Sequence, residues 1–225
     1  MKITILTLFP EMFEGPFNHS IVKRAKEKKL VEIEFVNIRN FGIGNHKTVD
    51  DTPYGGGAGM VLRVDVLEKA VKSIKIKGES KIFLLSPHGE TFNQQKALEL
   101  SKLDHLILIC GHYEGVDARV DNFIDGKISI GDFITTGGEI PAMLVVDSIT
   151  RLITGVLKEG VTQSESFPDL LEHSQYTKPA FHKNLKVPEI LLSGDHKKIE
   201  EFRKNESINI TSKLRPDLIK KAKRG

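Results

Sequence analysis

Apolar positions recur with two alternating spacings along the first 157 residues. Residues 3–9 and 31–37 alternate apolar and polar as half-buried strands do, and 81–85 is a third short strand. Residues 105–109 are apolar almost throughout, as a strand covered on both faces should be. Between these runs, residues 13–28, 64–73 and 93–100 carry helical spacing, the first with a basic exposed face. A short helix over 116–120 and a strand near 127–130 precede an apolar helix from about Glu139 to Thr154. This βαβ rhythm predicts an α/β fold, a mostly parallel sheet with helices on both faces. Asp125-Gly126 is also a hairpin signal, which would make one pairing antiparallel.

After Leu157 the rhythm changes. Residues 158–169 (Lys-Glu-Gly-Val-Thr-Gln-Ser-Glu-Ser-Phe-Pro-Asp) are polar and aperiodic, as expected of an interdomain linker or mobile loop. Beyond them, helical segments at 188–192, 196–205 and 216–223 predict a small, mainly helical unit over 170–225. In the middle segment Ile199 and Phe202 stand three apart and define one buried face. The expected organisation is one domain over 1–157, the linker, and the small C-terminal domain.

Composition narrows the setting. With 225 residues, 39% hydrophobic and 28% charged, the chain can bury a real core. One cysteine, Cys110, excludes an internal disulfide and fits a reducing compartment. The first strand is too short and too alternating for a signal peptide, and no 18-residue apolar stretch occurs, so a cytoplasmic protein is expected. The net charge of +3 is unevenly distributed: from Lys158 onward there are 14 Lys/Arg against 10 Asp/Glu, and six bases with one acid from Lys213 to the end. Such a basic tail suits phosphate contacts and suggests a nucleic-acid partner.

Three glycine-bearing loops follow apolar strands. They are Leu84-Leu85-Ser86-Pro87-His88-Gly89, Cys110-Gly111-His112-Tyr113-Glu114-Gly115-Val116-Asp117, and Ile130-Gly131-Asp132-Phe133-Ile134-Thr135-Thr136-Gly137-Gly138-Glu139-Ile140-Pro141. Glycine lets bare backbone N–H and C=O groups approach a flat ligand, and three such loops at strand ends suggest one shared site. A fourth glycine cluster, Tyr54-Gly55-Gly56-Gly57-Ala58-Gly59-Met60, reads as a segment that orders over substrate, with Arg39, His46 and Lys47 near enough in sequence to meet phosphates. The dinucleotide fingerprint fails here because Leu62 stands where the third glycine belongs, and no Walker A sequence occurs. Cys110 and His112 form a single C-x-H without a second pair, a poor zinc signal. Ending an apolar strand, Cys110 is expected to be buried and inert.

Taken together, these motifs resemble the bacterial tRNA (guanine-N1)-methyltransferases, the TrmD family of the SPOUT superfamily. The likeness runs nearly end to end. It includes Leu8-Phe9-Pro10-Glu11-Met12-Phe13, residues 46–60, Ser86-Pro87-x-Gly89, Gly111-x-Tyr113-Glu114-Gly115-Val116-Asp117 and residues 130–141. It continues through Asp147-Ser148-x-x-Arg151-Leu152, Gln175-Tyr176-Thr177, Leu191-Leu192-Ser193-Gly194 and Arg215-Pro216-Asp217. The resemblance implies a SPOUT-type parallel sheet with a C-terminal trefoil-knot cofactor site, a feature that general topology rules would argue against. It implies S-adenosylmethionine as methyl donor and a tRNA substrate methylated on N1 of the guanosine immediately 3′ of the anticodon, where another guanosine precedes it. It also implies a homodimer with active sites across the interface. The cofactor-binding positions carried over are Leu85, Ser86, Pro87, Gly111, Tyr113, Ile130, Gly131, Asp132, Phe133, Ile134, Thr135 and Gly138.

The reaction requires a base for the N1 proton and a cation for the charge that moves toward O6. Arg151 matches the family arginine; an ordinary pairing with Asp147, one turn earlier on the helix, is the plain alternative. Where the family has Asp-Ser-Phe this chain has Glu165-Ser166-Phe167, followed by a segment one residue shorter than usual. Glu165 is therefore the expected base, with Asp169 as rival. Glu114 occupies the position the family links to Mg²⁺, against a salt bridge to Arg119. Lys178 replaces the usual arginine after Tyr-Thr, losing bidentate phosphate recognition. The competing reading is a SPOUT-like RNA-binding module that holds cofactor without turnover.

Overall fold

The computed structural model describes residues 1–163, 165–167 and 169–222. They divide into two compact units, one of Met1–Lys158 and a second beginning at Glu159. In the first unit the chain runs β1 (Lys2–Thr7), α1 (Glu14–Phe17), α2 (Ser20–Glu27), β2 (Glu32–Asn37), β3 (Asp50–Asp51), β4 (Val61–Leu62) and α3 (Val64–Lys72). It continues with β5 (Ser80–Thr91), α4 (Gln94–Leu100), β6 (His105–Cys110), β7 (Gly126–Ser129) and α5 (Glu139–Thr150). Five strands form one sheet in the order β2-β1-β6-β5-β7, and every pairing is parallel.

Strand alternation divides the core into two layers. Ile3, Ile5, Phe83, Leu85, Leu106 and Leu108 pack with Phe13, Phe17, Ala25, Ala97, Leu100, Val145 and Ile149. On the other face, Leu6, Leu84, Ile107 and Ile109 pack with Ile38, Val66, Leu67, Ala70 and Val120. β6 sits between two neighbours and under both layers, so all six of its residues are buried. Its polar member, His105, shares a 2.8 Å hydrogen bond between Nε2 and the Thr4 hydroxyl.

The structure corrects three readings and locates a fourth segment. The helix expected over 13–28 is broken into a 3-10 turn at Pro10–Phe13, α1 and α2, with Ser20 at φ +52°. Asp125-Gly126 makes no hairpin: β7 is parallel to β5, and the Asp125 carboxylate instead accepts the Ile82 N–H at 2.8 Å. The helix expected over 116–120 is a 3-10 turn at Ala118–Asn122. The glycine cluster near residue 57 is the tip of a hairpin, because β3 and β4 pair antiparallel on either side of it.

Since all five strands point the same way, their carboxyl ends share one edge of the sheet. β1 leads to β2 on one side, while its other neighbour β6 leads to β7 on the opposite side, so the strand order reverses between β1 and β6. In open α/β sheets that edge, at the reversal of strand order, is where ligands bind. The register between β5 and β7 breaks at the same edge. Ile128 is partner to both Leu85 and Glu90, with residues 86–89 looped between them.

In the second unit, a small hairpin of β8 (Phe181–His182) and β9 (Leu185–Lys186) precedes α6 (Glu189–Leu192), α7 (His196–Leu214) and α8 (Pro216–Ala222). Asp195 caps α7 by accepting the Lys198 N–H at 3.2 Å. Ile199 and Phe202 are half-buried, on the side their spacing predicts.

Candidate functional site

The three glycine-bearing loops leave the carboxyl edge and are tied to one another by backbone. Leu85 pairs with Cys110 of β6 and with Ile128 of β7, so the β5 end lies between the starts of the other two loops. Gly138 N–H donates to the Gly111 carbonyl at 2.8 Å. A Cβ on Gly138 would stand 2.6 Å from Cys110 Cα and 2.8 Å from Gly111 N, so only glycine allows this approach. Gly89 is pressed against the Lys127–Ile128 backbone in the same way.

Within each loop, local bonds hold the backbone open. Ser86 Oγ accepts the His88 N–H at 3.2 Å, Gly115 N–H donates to the His112 carbonyl at 3.2 Å, and Thr135 Oγ1 donates to the Gly137 carbonyl at 2.8 Å. Tyr113 adopts φ +60° and Gly131 φ +141°. A left-handed tyrosine is sparsely populated, and such outliers concentrate at functional sites. Phe133 and Ile134 are largely exposed, the latter at 79%. The structure thus ties Leu85, Gly111 and Gly138 together, and places Ser86, Pro87, Tyr113 and residues 130–135 on the loops that these contacts join.

The hairpin of β3 and β4 is anchored to the second of these loops. Glu114 N–H donates to the Met60 carbonyl, Leu62 N–H to Gly115, and Asp117 N–H to Leu62, each at 3.0 Å. Arg63 bridges the hairpin base, 2.8 Å from Asp51 and 3.1 Å from Asp65. The Glu114 side chain lies against Gly59. Arg119 does not pair with Glu114 as one reading allowed; it takes Asp117, at 2.6 Å. That hydrogen bond holds the Asp117 carboxyl below its usual range. Among the described residues no cluster of three or more His, Cys, Asp or Glu forms a ready-made metal cage.

One group beneath the loops escaped the sequence reading. Glu139, the first residue of α5, has its side chain only 2% exposed. Its Oε1 accepts the Thr7 hydroxyl at 2.8 Å, and its Oε2 lies 3.9 Å from His112 Nδ1. The one signal for it was a carboxylate opening a mainly apolar helix. Cys110, fully buried nearby, has its thiol pushed well above the usual range, by burial first and then by Glu139. Its burial is the one its place at the strand end suggested.

The residues expected to do proton chemistry fall in both units. Arg151 closes α5 in the first unit, its N–H donating to the Asp147 carbonyl at 3.3 Å. Glu165 and the exposed Asp169 belong to the second unit. Around them, Ser166 Oγ accepts the Glu172 N–H at 2.9 Å and Phe167 N–H donates to Leu170 at 2.8 Å. Phe167 sits at φ +69°, with the Arg215 guanidinium 5.6 Å from its ring centroid. Part of the segment expected to be a loose linker is thus a folded turn.

A parallel sheet with glycine-bearing loops at its carboxyl edge makes this an α/β protein, and in open sheets of that kind ligands usually bind at that edge. Comparison with known proteins specifies it further. Residues 1–221 match the family described as tRNA (Guanine-1)-methyltransferase TrmD, and the chain belongs to that family. It is 53% identical over 223 residues to a tRNA (guanine-N(1)-)-methyltransferase of Dictyoglomus turgidum, covering 98% of this chain and 91% of the relative. An enzyme of the same name from Clostridium botulinum (strain Kyoto) is 52% identical over 99% of this chain and 93% of its own. Another, from Carboxydothermus hydrogenoformans, is 54% identical over 98% and 88%.

Proposed function

We propose that this protein transfers a methyl group from S-adenosylmethionine to N1 of the guanosine immediately 3′ of the tRNA anticodon. The observation carrying this reading is the convergence of three glycine-bearing loops at one sheet edge, in a chain of this family. A bent adenosyl ligand needs donors and acceptors at close approach, and the backbone of Leu85, Pro87, Gly111, Tyr113, Ile130 to Thr135 and Gly138 fits that need. When bound, the donor supplies an electrophilic methyl on a sulfonium. The break in register at Ile128, with residues 86–89 looped between its two partners, supports a trefoil crossing here.

In this reading Glu165 accepts the N1 proton, so that the nitrogen lone pair can attack, and Asp169 is its rival. Glutamate retains the carboxylate of the family's aspartate with one more methylene of reach. Arg151 faces the charge that develops at O6, which a fixed guanidinium stabilises throughout. Arg151 belongs to the first unit and Glu165 to the second, and we assign both to one active site completed in a homodimer. Supporting it, Ile140 and Leu144 are exposed one turn apart on α5. The second unit, with its basic excess, is assigned to tRNA, and Glu114 to Mg²⁺ through one carboxylate and waters. No helix among the described residues is long and apolar enough to cross a membrane, and we place the protein with its tRNA in the cytoplasm.

The test is transfer of tritium from labelled S-adenosylmethionine to tRNA transcripts with and without the preceding guanosine. Methylation of the first alone supports the reading. Cofactor binding without transfer to either would leave an RNA-binding module that holds cofactor idle, and would overturn it.

A further inference from the structure

The buried carboxylate of Glu139 stands among segments that leave three strands. It lies on the residue that follows Gly138, at the end of the loop leaving β7. Through Thr7 it reaches the end of β1, and the same hydroxyl accepts the Phe9 N–H at 3.0 Å. Through its second oxygen it faces His112, in the loop leaving β6. His112 is wedged between Phe9, at 5.1 Å between ring centroids, and Tyr113, at 5.0 Å. Its Nδ1 is buried and makes no hydrogen bond among the described residues. Gly137 makes room for this arrangement: a Cβ there would collide with Glu139 Oε2 and stand 2.7 Å from His112 Nδ1.

A buried carboxylate is costly to desolvate, and an unpaired buried nitrogen adds to that cost. Placing both beneath a ligand site makes sense if they fix loops whose backbone must be held to a fraction of an ångström. The separation of 3.9 Å exceeds a hydrogen bond.

We propose that Glu139 is a positioning residue for cofactor binding, clamping the loops after β1, β6 and β7 into register through Thr7 and His112. This rests on the reading of the three loops as the S-adenosylmethionine site. A group that only supported the fold would change stability and weaken both ligands alike. A clamp on the cofactor loops weakens one ligand and spares the other.

The experiment is calorimetric titration of the full-length protein with S-adenosylmethionine, beside tRNA binding measured by filter retention, for wild type, Glu139→Gln, Thr7→Val and Thr7→Ser. Glu139→Gln keeps the shape and removes the charge. Losing a buried charge-assisted contact should raise the cofactor Kd about tenfold or more, with the tRNA Kd within about twofold, a margin far below one such contact. Thr7→Val should follow in the same direction, and Thr7→Ser, which keeps the hydroxyl, should restore wild-type affinity. If the wild type takes up no S-adenosylmethionine, the reading of the site fails. Should the wild type bind while Glu139→Gln and Thr7→Val bind equally well, or lose tRNA in equal measure, Glu139 is no positioning residue. A Glu139→Gln protein that does not fold leaves the Thr7 pair to decide on the same criteria.

Discussion

The loop within β5 at residues 86–89, with those after β6 and β7, and the turn around Glu165 are assigned to one reaction, yet they are built in opposite ways. The loops are fixed by main chain: Gly138 N–H to Gly111, Leu85 in register with Cys110 and Ile128, and glycines where a Cβ would strike backbone. The Glu165 turn lies in the second unit, held by Ser166, by Leu171 N–H donating 2.9 Å to Thr211, and by Phe167 in a left-handed conformation. Binding a flat cofactor takes main-chain geometry that a sheet edge supplies in advance. Proton transfer needs one carboxylate delivered when substrate arrives, and a separate unit can deliver it. Holding and reacting should therefore fail independently.

The largest expected effect tests that independence. Arg151→Ala and Glu165→Ala should each lower single-turnover methyl transfer by about 10²-fold or more, while the cofactor Kd measured by calorimetry stays within about threefold, well under the energy of one lost contact. Asp169→Ala should retain turnover. The opposite pattern, with Asp169→Ala inactive and Glu165→Ala active, would move the base to Asp169.

Next comes the converse substitution. Gly138→Ala would put a Cβ 2.6 Å from Cys110 Cα, against backbone that cannot yield. It should destabilise the protein by about 1–3 kcal/mol, as overpacking does, and weaken cofactor binding. Gly15→Ala is the control: nothing lies within 4 Å of its Cβ, in a helical turn. Alanine there should be neutral or stabilising by up to about 1 kcal/mol. Equal thermal denaturation midpoints for the two variants would contradict the steric account.

The smallest effect concerns the sheet beneath both. His105 is held below its ordinary range by burial first and then by Lys2, with Glu34 opposing. Its unfolded form takes up a proton near pH 6.5, and its folded form does so only at lower pH. Between those values the unfolded chain binds more protons, so stability should fall as pH drops below about 6.5. Urea midpoints at neutral pH and about one unit below 6.5 should differ in that direction, and the difference should shrink in His105→Gln. Asp65, lowered chiefly by its bond to Arg63, adds its own loss only at more acid pH, below its usual carboxylate range.

Where a pattern was local, the sequence disclosed the structure. The uninterrupted run of β6 declared a doubly covered strand, and the glycine-bearing loops after apolar runs do lie at one edge of the sheet. Long-range facts stayed hidden. Pro87 and Gly89 read as a turn after Leu85, yet residues 90–91 rejoin β7, because pairing partners lie outside any local window. α7 runs nine residues beyond its expected end, through Asn209 and Thr211, weak helix formers that tertiary contacts overrode. In that stretch Thr211 is buried and its hydroxyl accepts the Leu171 N–H. Glu139 looked like an ordinary first-turn acid, since nothing in sequence places Thr7 and His112 around it. Arg151 and Glu165 emerged only through likeness to a family: an arginine ending a helix and a glutamate in a polar stretch have no distinctive local pattern.

Hydrogen exchange of the full-length protein with and without S-adenosylmethionine tests the central claim most directly. The account predicts that the cofactor slows exchange together at residues 86–89, 111–117 and 131–138, and leaves the second unit unchanged. Slowing confined to one of those loops, or appearing instead in residues 170–222, would contradict it.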